Sequence, residues 1–224
     1  MILGVYGMGG LGLEIYEFAL KLNNRKNRWK DILFIDDTKK TVVNGEIKHF
    51  SFEDIKDTYS KSELEIVIAQ GEPLYRELIY DKVKLFDYQL ATLLHPNFYI
   101  NSSLIIKSGV IINSNMVTVS PEVIIGHNTL IQPFVTIGHN TKIGENCVVS
   151  AFSSIAGDCH IGDNVYIGMH VAIKEKTVIG DNAIIGMGSM VTRNVPNNHT
   201  VFLQNTRMVE HEKGTKVFNN SKDK

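Results

Sequence analysis

Cysteine is scarce: the 224 residues hold only two, Cys147 and Cys159. Two cysteines at that spacing supply neither a metal-binding pattern nor a disulfide framework. An excess of one charge is missing as well. The formal net charge of −1 excludes the broad basic field of a nucleic-acid binder and the acidic block of a solvating tail. No run of about 18 apolar residues occurs, so no membrane-spanning helix is expected. The opening MILGVYGMGG enters a glycine-rich turn at once, without a charged lead or a signal-like apolar segment. These absences leave a soluble, cytoplasmic protein as the expectation. Its length suits one large domain or two small ones with a substantial core.

Two kinds of pattern fill the chain. Up to about residue 90, strand-like and helix-like segments alternate. ILGVYG reads as a buried strand and GMGGLG as a turn. LEIYEFALKL then places Leu13, Ile15, Tyr16, Phe18, Ala19 and Leu22 largely on one helical face. DILFIDD is a second strand ending in two acids, and SFEDI a helix start with Ser51 as N-cap. LEIVIAQG is a third strand, and PLYRELIYDKV a further helix. Such alternation predicts a parallel α/β sheet of about three strands, one mononucleotide-type half of a dinucleotide fold.

From about Ile100 the period becomes six. Twelve consecutive sixth positions, from Ile125 to Val191, are Ile or Val without exception. Four residues after each comes a small or β-branched side chain, from Thr129 to Val195, and glycine often follows the Ile. Ile100, Ile106 and Ile112 extend the series upstream, with a one-residue slip before Val119. This is the hexapeptide signature of a parallel β-helix. Three units close a triangular coil, the Ile fills its interior, and glycine accommodates the bend. Cys147 and Cys159 fall on the small inward position, which makes them buried hydrophobes rather than catalytic thiols. Residues about 18 apart stack on one face. His127 and His139, 12 apart in a repeated Gly-His-Asn, lie on different faces and form no pair.

GMGGLG matches G-x-G-x-x-G, with Asp36 and Asp37 about 25 residues on. Alone it suggests a dinucleotide, but a domain this short lacks half of that crevice. Backbone N–H groups at Gly9, Gly10 and the helix start still suit a phosphate. Several stretches in order carry a resemblance: GMGGLG, FIDD, VIAQGEPLYR, TLLHPNFYI, the repeats containing TIGHN, and GMGSMVTRNVP. Together they resemble the bacterial sugar acetyltransferases of surface-glycan pathways. That family includes sialic acid O-acetyltransferases and N-acetyltransferases of nucleotide-linked 4-amino sugars.

The resemblance implies an α/β N-terminal Rossmann-like subdomain followed by a left-handed parallel β-helix of hexapeptide repeats. We divide the chain into residues 1–92, binding a nucleotide sugar; 98–196, the acyltransferase prism; and 197–224, a cap and polar tail, with the α/β domain expected over the opposite prism end. The family assembles as a homotrimer, uses acetyl-CoA bound between neighbouring prisms, and needs no metal. Carried over by position, His139 is the general base and Gly157, one coil above, offers its N–H to the acetyl carbonyl. Asn140 stands where the 4-amino-sugar enzymes have an acid; an amide can hold a tautomer but cannot stabilise imidazolium by charge. Gln132 corresponds to an acceptor contact, and Val148 to the place of a second histidine near the CoA. Met169 and Met187 align with the pantetheine channel, and Arg207 with a CoA phosphate contact. Asp36 and Asp37 lie near the nucleoside, Gln70–Gly71 closes the pocket, and Leu11 replaces a usual histidine.

The chemistry asks for such a pair. An attacking amine or hydroxyl must lose a proton, which an imidazole with pKa near ~6.5 takes at neutral pH. The oxyanion needs a donor about 3 Å away, whose removal typically costs about 100-fold to 1000-fold. The expected function is therefore acetyl transfer to an amino or hydroxyl group of a sugar. The alternative, suggested by Leu11, Asn140 and Val148 together, is a non-catalytic trimer that binds a nucleotide or nucleotide sugar. A zinc hydratase of the same prism type needs three converging histidines, which His127, His139, His160 and His170 do not supply.

Overall fold

The computed structural model describes residues 1–39 and 47–203. Arg207 and the expected tail fall outside them.

The first half alternates as the periodicity predicts. In chain order it comprises β1 (Ile2–Tyr6), α1 (Gly10–Lys26), β2 (Asp31–Ile35), β3 (His49–Phe50), α2 (Phe52–Thr58), β4 (Leu64–Ile68), α3 (Pro73–Leu85) and β5 (Gln89–Leu90). The sheet is parallel in the order β3–β2–β1–β4–β5. It has five strands and not three, because two-residue pieces too short to show a period add themselves to both edges. β1 and β4 are buried along their whole length, as continuous apolar runs in a parallel sheet require. Ser51 caps α2 by accepting from the Asp54 N–H. Pro73 opens α3, where its missing N–H costs nothing.

A triangular parallel β-helix follows. Its first face carries seven two-residue strands, beginning with Leu93–Leu94, Ile111–Ile112 and Leu130–Ile131 and ending with Thr200–Val201. The second face runs from Thr118–Val119 to Met190–Val191, and the third from Ile105–Ile106 to Val178–Ile179. Pairs such as Lys142 with His160 show the coil of eighteen residues. The sixth-position Ile and Val side chains form one buried cluster through the prism. Two buried hydroxyls beside them are satisfied by the next coil: Thr129 Oγ1 donates to Gly144 O at 2.9 Å and Thr141 Oγ1 to Ala156 O at 3.0 Å. Most corners turn on a left-handed residue, often Asn or Asp, as at Asn128, Asn140, Asn146 and Asp158; these types tolerate positive φ best after glycine.

Three expectations need correction. Ile100 is 54% exposed, because the first coil has no second-face strand to bring it inward. The prism also begins at Leu93 and continues past Pro196, since Thr200–Val201 pairs with Ile184–Ile185. Finally, the α/β domain does not cover a prism end but lies along the first face. There the outward residues Leu93, Ile111, Leu130 and Val148 are buried in one cluster with Leu3, Val5, Ile15 and Phe18. Their second-face counterparts Thr118, Thr136, Ser154, Ala172 and Met190 are exposed. The sequence does hold this signal: on the first face an apolar or aromatic residue precedes the inward one in every strand from Leu93 to Ile184, whereas Lys142 and His160 interrupt the third face and Thr118, Thr136 and Ser154 the second. Burying each such aliphatic is worth about 1.5–3 kcal/mol, which makes the domain contact a core and not a loose tether.

Both cysteines are free and buried, and burial pushes the Cys147 thiol up to about 12. A thiol-specific reagent at neutral pH is therefore expected to label neither residue in the native chain and both in urea; rapid native labelling of Cys147 would contradict this packing.

Candidate active site

The glycine-rich turn separates into two kinds of glycine. Gly7 has φ +108°, and a Cβ there would lie 2.8 Å from Ala69 O; at Gly12 it would lie 2.1 Å from Gly7 O. Those two glycines are required by the fold. At Gly9 and Gly10 an added Cβ would meet nothing within 4 Å. The space they leave belongs to a cavity of about 500 Å³ at the carboxyl ends of β1, β2 and β4, where α/β sheets place ligands. Gly9 is the N-cap of α1 and no side chain caps that helix, so its first-turn N–H groups face outward as an anion cradle.

Of the residues expected to hold the substrate, Gly9, Gly10, Leu11, Asp36, Asp37 and Gln70 all line this cavity. Gly71 adjoins it across from Leu11, whose Cδ2 would lie 3.8 Å from an added Cβ. The two acids also hold hydrogen bonds within the protein. Asp36 accepts from Met8 N at 3.0 Å and from Thr38 N and Oγ1 at 2.9 and 2.5 Å. Asp37 accepts from Tyr6 OH at 2.5 Å, Lys82 Nζ at 2.7 Å and Phe52 N at 2.8 Å. Burial opposes ionisation of both, but the hydrogen bonds outweigh it and hold each below the usual carboxylate range: Thr38 and Met8 for Asp36, Lys82, Tyr6 and Phe52 for Asp37. These carboxylates shape the cavity wall and brace the turn. The side chains of Tyr75 and Ile79 complete the lining; sequence reasoning missed them because α3 was assigned no site role.

Arg76 was also missed. It is fully buried and joins the two halves, donating to Asn128 O, Asn128 Oδ1 (2.8 Å), Ile68 O (2.9 Å) and Gln70 O (2.8 Å). Burial pushes its guanidinium down to about 9, which leaves it a cation at neutral pH. Asn128 passes the contact on to Asn146 Oδ1 at 2.8 Å. An arginine spaced with Pro73, Tyr80 and Val83 on the buried side of α3 was the available signal.

His139 and Gly157 meet at the edge between the second and third faces. A Cβ on Gly157 would lie 2.8 Å from both Cε1 and Nε2 of the imidazole, so the ring lies directly on the glycine. The matching N–H groups at the third-to-first edge are taken by the coil above, Glu145 N by Asp163 Oδ1 at 2.7 Å and Asp163 N by Asp181 Oδ1 at 2.9 Å. The Gly157 N–H has no acceptor among the described residues. Asn140 Nδ2 lies 3.3 Å from His139 Nδ1 and donates to Asp158 Oδ1 at 2.9 Å.

The remaining candidates lie elsewhere. His127 sits on the third-to-first edge, with Nδ1 2.8 Å from Ser108 Oγ and its ring against Tyr80. Gln132, on the first-to-second edge, accepts from Ala151 N at 3.1 Å. Met169 and Met187 are exposed on that same edge, one full face away from His139. Val148 is corrected: only 2% exposed and packed under the α/β domain, it cannot touch a ligand. Among the described residues no His, Cys, Asp and Glu side chains gather as a metal site, and no helix is long and apolar enough to cross a membrane. The cavity adjoins the Arg76–Asn128 edge, so a face of the prism also separates it from His139.

Two outcomes follow for stability. Arg76→Met leaves the carbonyls of Ile68, Gln70 and Asn128 without a partner, at about 1–3 kcal/mol each, so the urea midpoint is expected to fall by the equivalent of at least about 3 kcal/mol. With folded-state values below the ordinary carboxylate range, Asp36 and Asp37 contribute stability above about pH 4 that is lost as pH falls further. Asp37→Asn is expected to flatten that acid limb of the urea midpoint.

Residues 3–83 match the PglD N-terminal domain family, and residues 122–157 and 158–193 match the bacterial transferase hexapeptide (six repeats) family. Comparison with curated proteins found no match. Among solved structures, WeeI from Acinetobacter baumannii AYE is similar at TM-score 0.80 and 24% identity, covering 93% of this chain and 100% of that one. A mutant of perosamine N-acetyltransferase from Caulobacter crescentus, in complex with CoA and GDP-perosamine, reaches TM-score 0.75 at 19% identity over 89% of this chain and 92% of that one. The acetyltransferase domain of PglB from Neisseria gonorrhoeae FA1090, in complex with acetyl coenzyme A, reaches 0.60 at 23% identity over 89% and 94%. The chain thus joins a PglD-type N-terminal domain to a left-handed β-helix of bacterial transferase hexapeptide repeats.

Proposed function

We propose that this chain is an acetyl-CoA-dependent acetyltransferase acting on an amino or hydroxyl group of a nucleotide-linked sugar. One observation carries the reading: an exposed imidazole resting on a glycine whose N–H has no acceptor among the described residues. Such a pair offers a proton acceptor and an oxyanion donor at one point. The acceptor's lone pair attacks the thioester carbonyl while His139 takes its proton. The Gly157 N–H receives the developing oxyanion, the C–S bond breaks, and the thiolate leaves as CoA. No residue of the chain is acylated.

The rest of the molecule supports this reading. Similar folds hold CoA, acetyl-CoA and GDP-perosamine. The Gly9–Gly10 cradle has the open backbone and helix start that suit a diphosphate. Leu11 makes the nearby wall aliphatic. The cavity and the base stand on different prism edges, which supports a homotrimer in which a second copy brings its His139 to the sugar, with Met169 and Met187 of one copy facing the catalytic edge of another. A surface-glycan role in the cytoplasm is the setting we propose.

The test is release of free thiol from acetyl-CoA with UDP-, dTDP- and GDP-linked amino and deoxy sugars and free sialic acid. Turnover on one acceptor is expected, falling at least about 100-fold in His139→Ala. In Gly157→Ala the new methyl displaces a surface ring rather than core, so the melting temperature stays while kcat falls by a similar factor. Full activity in His139→Ala would move the base elsewhere. Nucleotide binding without any turnover would favour the non-catalytic trimer.

A further inference from the structure

Among the described residues, the His139 ring has one polar side chain within hydrogen-bonding distance: Asn140, with Nδ2 3.3 Å from Nδ1. The same Nδ2 lies 2.9 Å from Asp158 Oδ1, one coil above. A carboxylate accepts hydrogen bonds and cannot donate them. An amide oxygen in that position would press lone pair against lone pair, so the carboxylate selects the nitrogen. The nitrogen's second proton then points at His139 Nδ1. A ring nitrogen that accepts carries no proton, and the neutral imidazole must hold its proton on Nε2.

We propose that Asp158 is a positioning residue for His139, holding the resting ring in the Nε2–H tautomer through Asn140. The inference rests on the acyl-transfer reading for its consequence, though not for its geometry. The Nε2 edge is the one lying on Gly157, where the reacting groups are placed. In this tautomer that edge presents a donor, whereas a base needs a lone pair there. Proton abstraction therefore waits until the Asn140 amide lets go of Nδ1 and the ring exchanges its proton. Exchanging the two side chains, Asn140→Asp with Asp158→Asn, reverses the bias: a carboxylate beside Nδ1 accepts from Nδ1–H and leaves Nε2 free.

The experiment is long-range proton–nitrogen correlation on the full chain labelled with 15N-histidine, well above the ordinary imidazole pKa of ~6.5, with His139 assigned by its loss in His139→Ala. No substrate is needed, so the result stands whether or not the chain transfers acetyl groups. Wild type is expected to show protonated Nε2 and bare Nδ1, Asp158→Ala a mixture, and the double exchange the opposite form. In thiol-release assays the double exchange is expected to raise kcat about fivefold, what one neutral hydrogen bond is worth, with little change in KM. A wild-type ring protonated at Nδ1, or a pattern that neither variant moves, overturns the proposal. The expected tautomers without turnover in any variant would uphold the positioning role and remove the transferase reading alone.

Discussion

Between Thr118 and Val191 each coil of the prism closes after eighteen residues, and a strand side chain there lies over the one eighteen positions away. That closure carries the rest of the structure. It stacks the Ile and Val series into one dry core, lets the buried hydroxyls of Thr129, Thr141 and Ser153 find a carbonyl one coil on, and runs asparagines up one edge so that Asn128 meets Asn146. It also builds the candidate site. Gly157 lies over His139 and Asp158 over Asn140 because the chain must return to the same edge after three strands.

The second organising contact is the buried Arg76. With no carboxylate bonded to it among the described residues, the guanidinium is held by carbonyls from both halves of the molecule. It fixes the loop carrying Gln70, and with it one wall of the cavity, against the Asn128 corner of the prism. The apolar seam along the first face supplies area, while Arg76 supplies direction, since a fork of donors fits one arrangement of acceptors. The seam sets the α/β domain along a flank. From that position the cavity and the His139 edge are kept apart within one chain.

The glycine-rich turn illustrates why a motif needs its surroundings. Gly7 and Gly12 are demanded by backbone crowding, whereas Gly9 and Gly10 border only open space. The Asp pair beyond it serves the protein's own groups as well as lining the cavity. Its oxygens already hold Met8, Thr38, Tyr6, Lys82 and Phe52, so the acids brace the cavity wall.

The sequence by itself determined the two-part architecture, the inward series and the buried cysteines, because both halves rest on local periods of side-chain burial. It determined His139 with Gly157 as well, since a fixed coil length turns separation in sequence into stacking in space. Tertiary structure alone decided the rest. Strands β3 and β5 are too short to carry a period, and they exist because the sheet edges need partners. Ile100 keeps the period yet stays exposed, because a coil must be complete before an inward side exists. Val148 lost its ligand role to the domain seam, a contact between segments more than a hundred residues apart. The carboxylate lacking at Asn140 is found at Asp158 for the same reason: hydrogen bonds are made between neighbours in space, and only the closed coil makes these two neighbours.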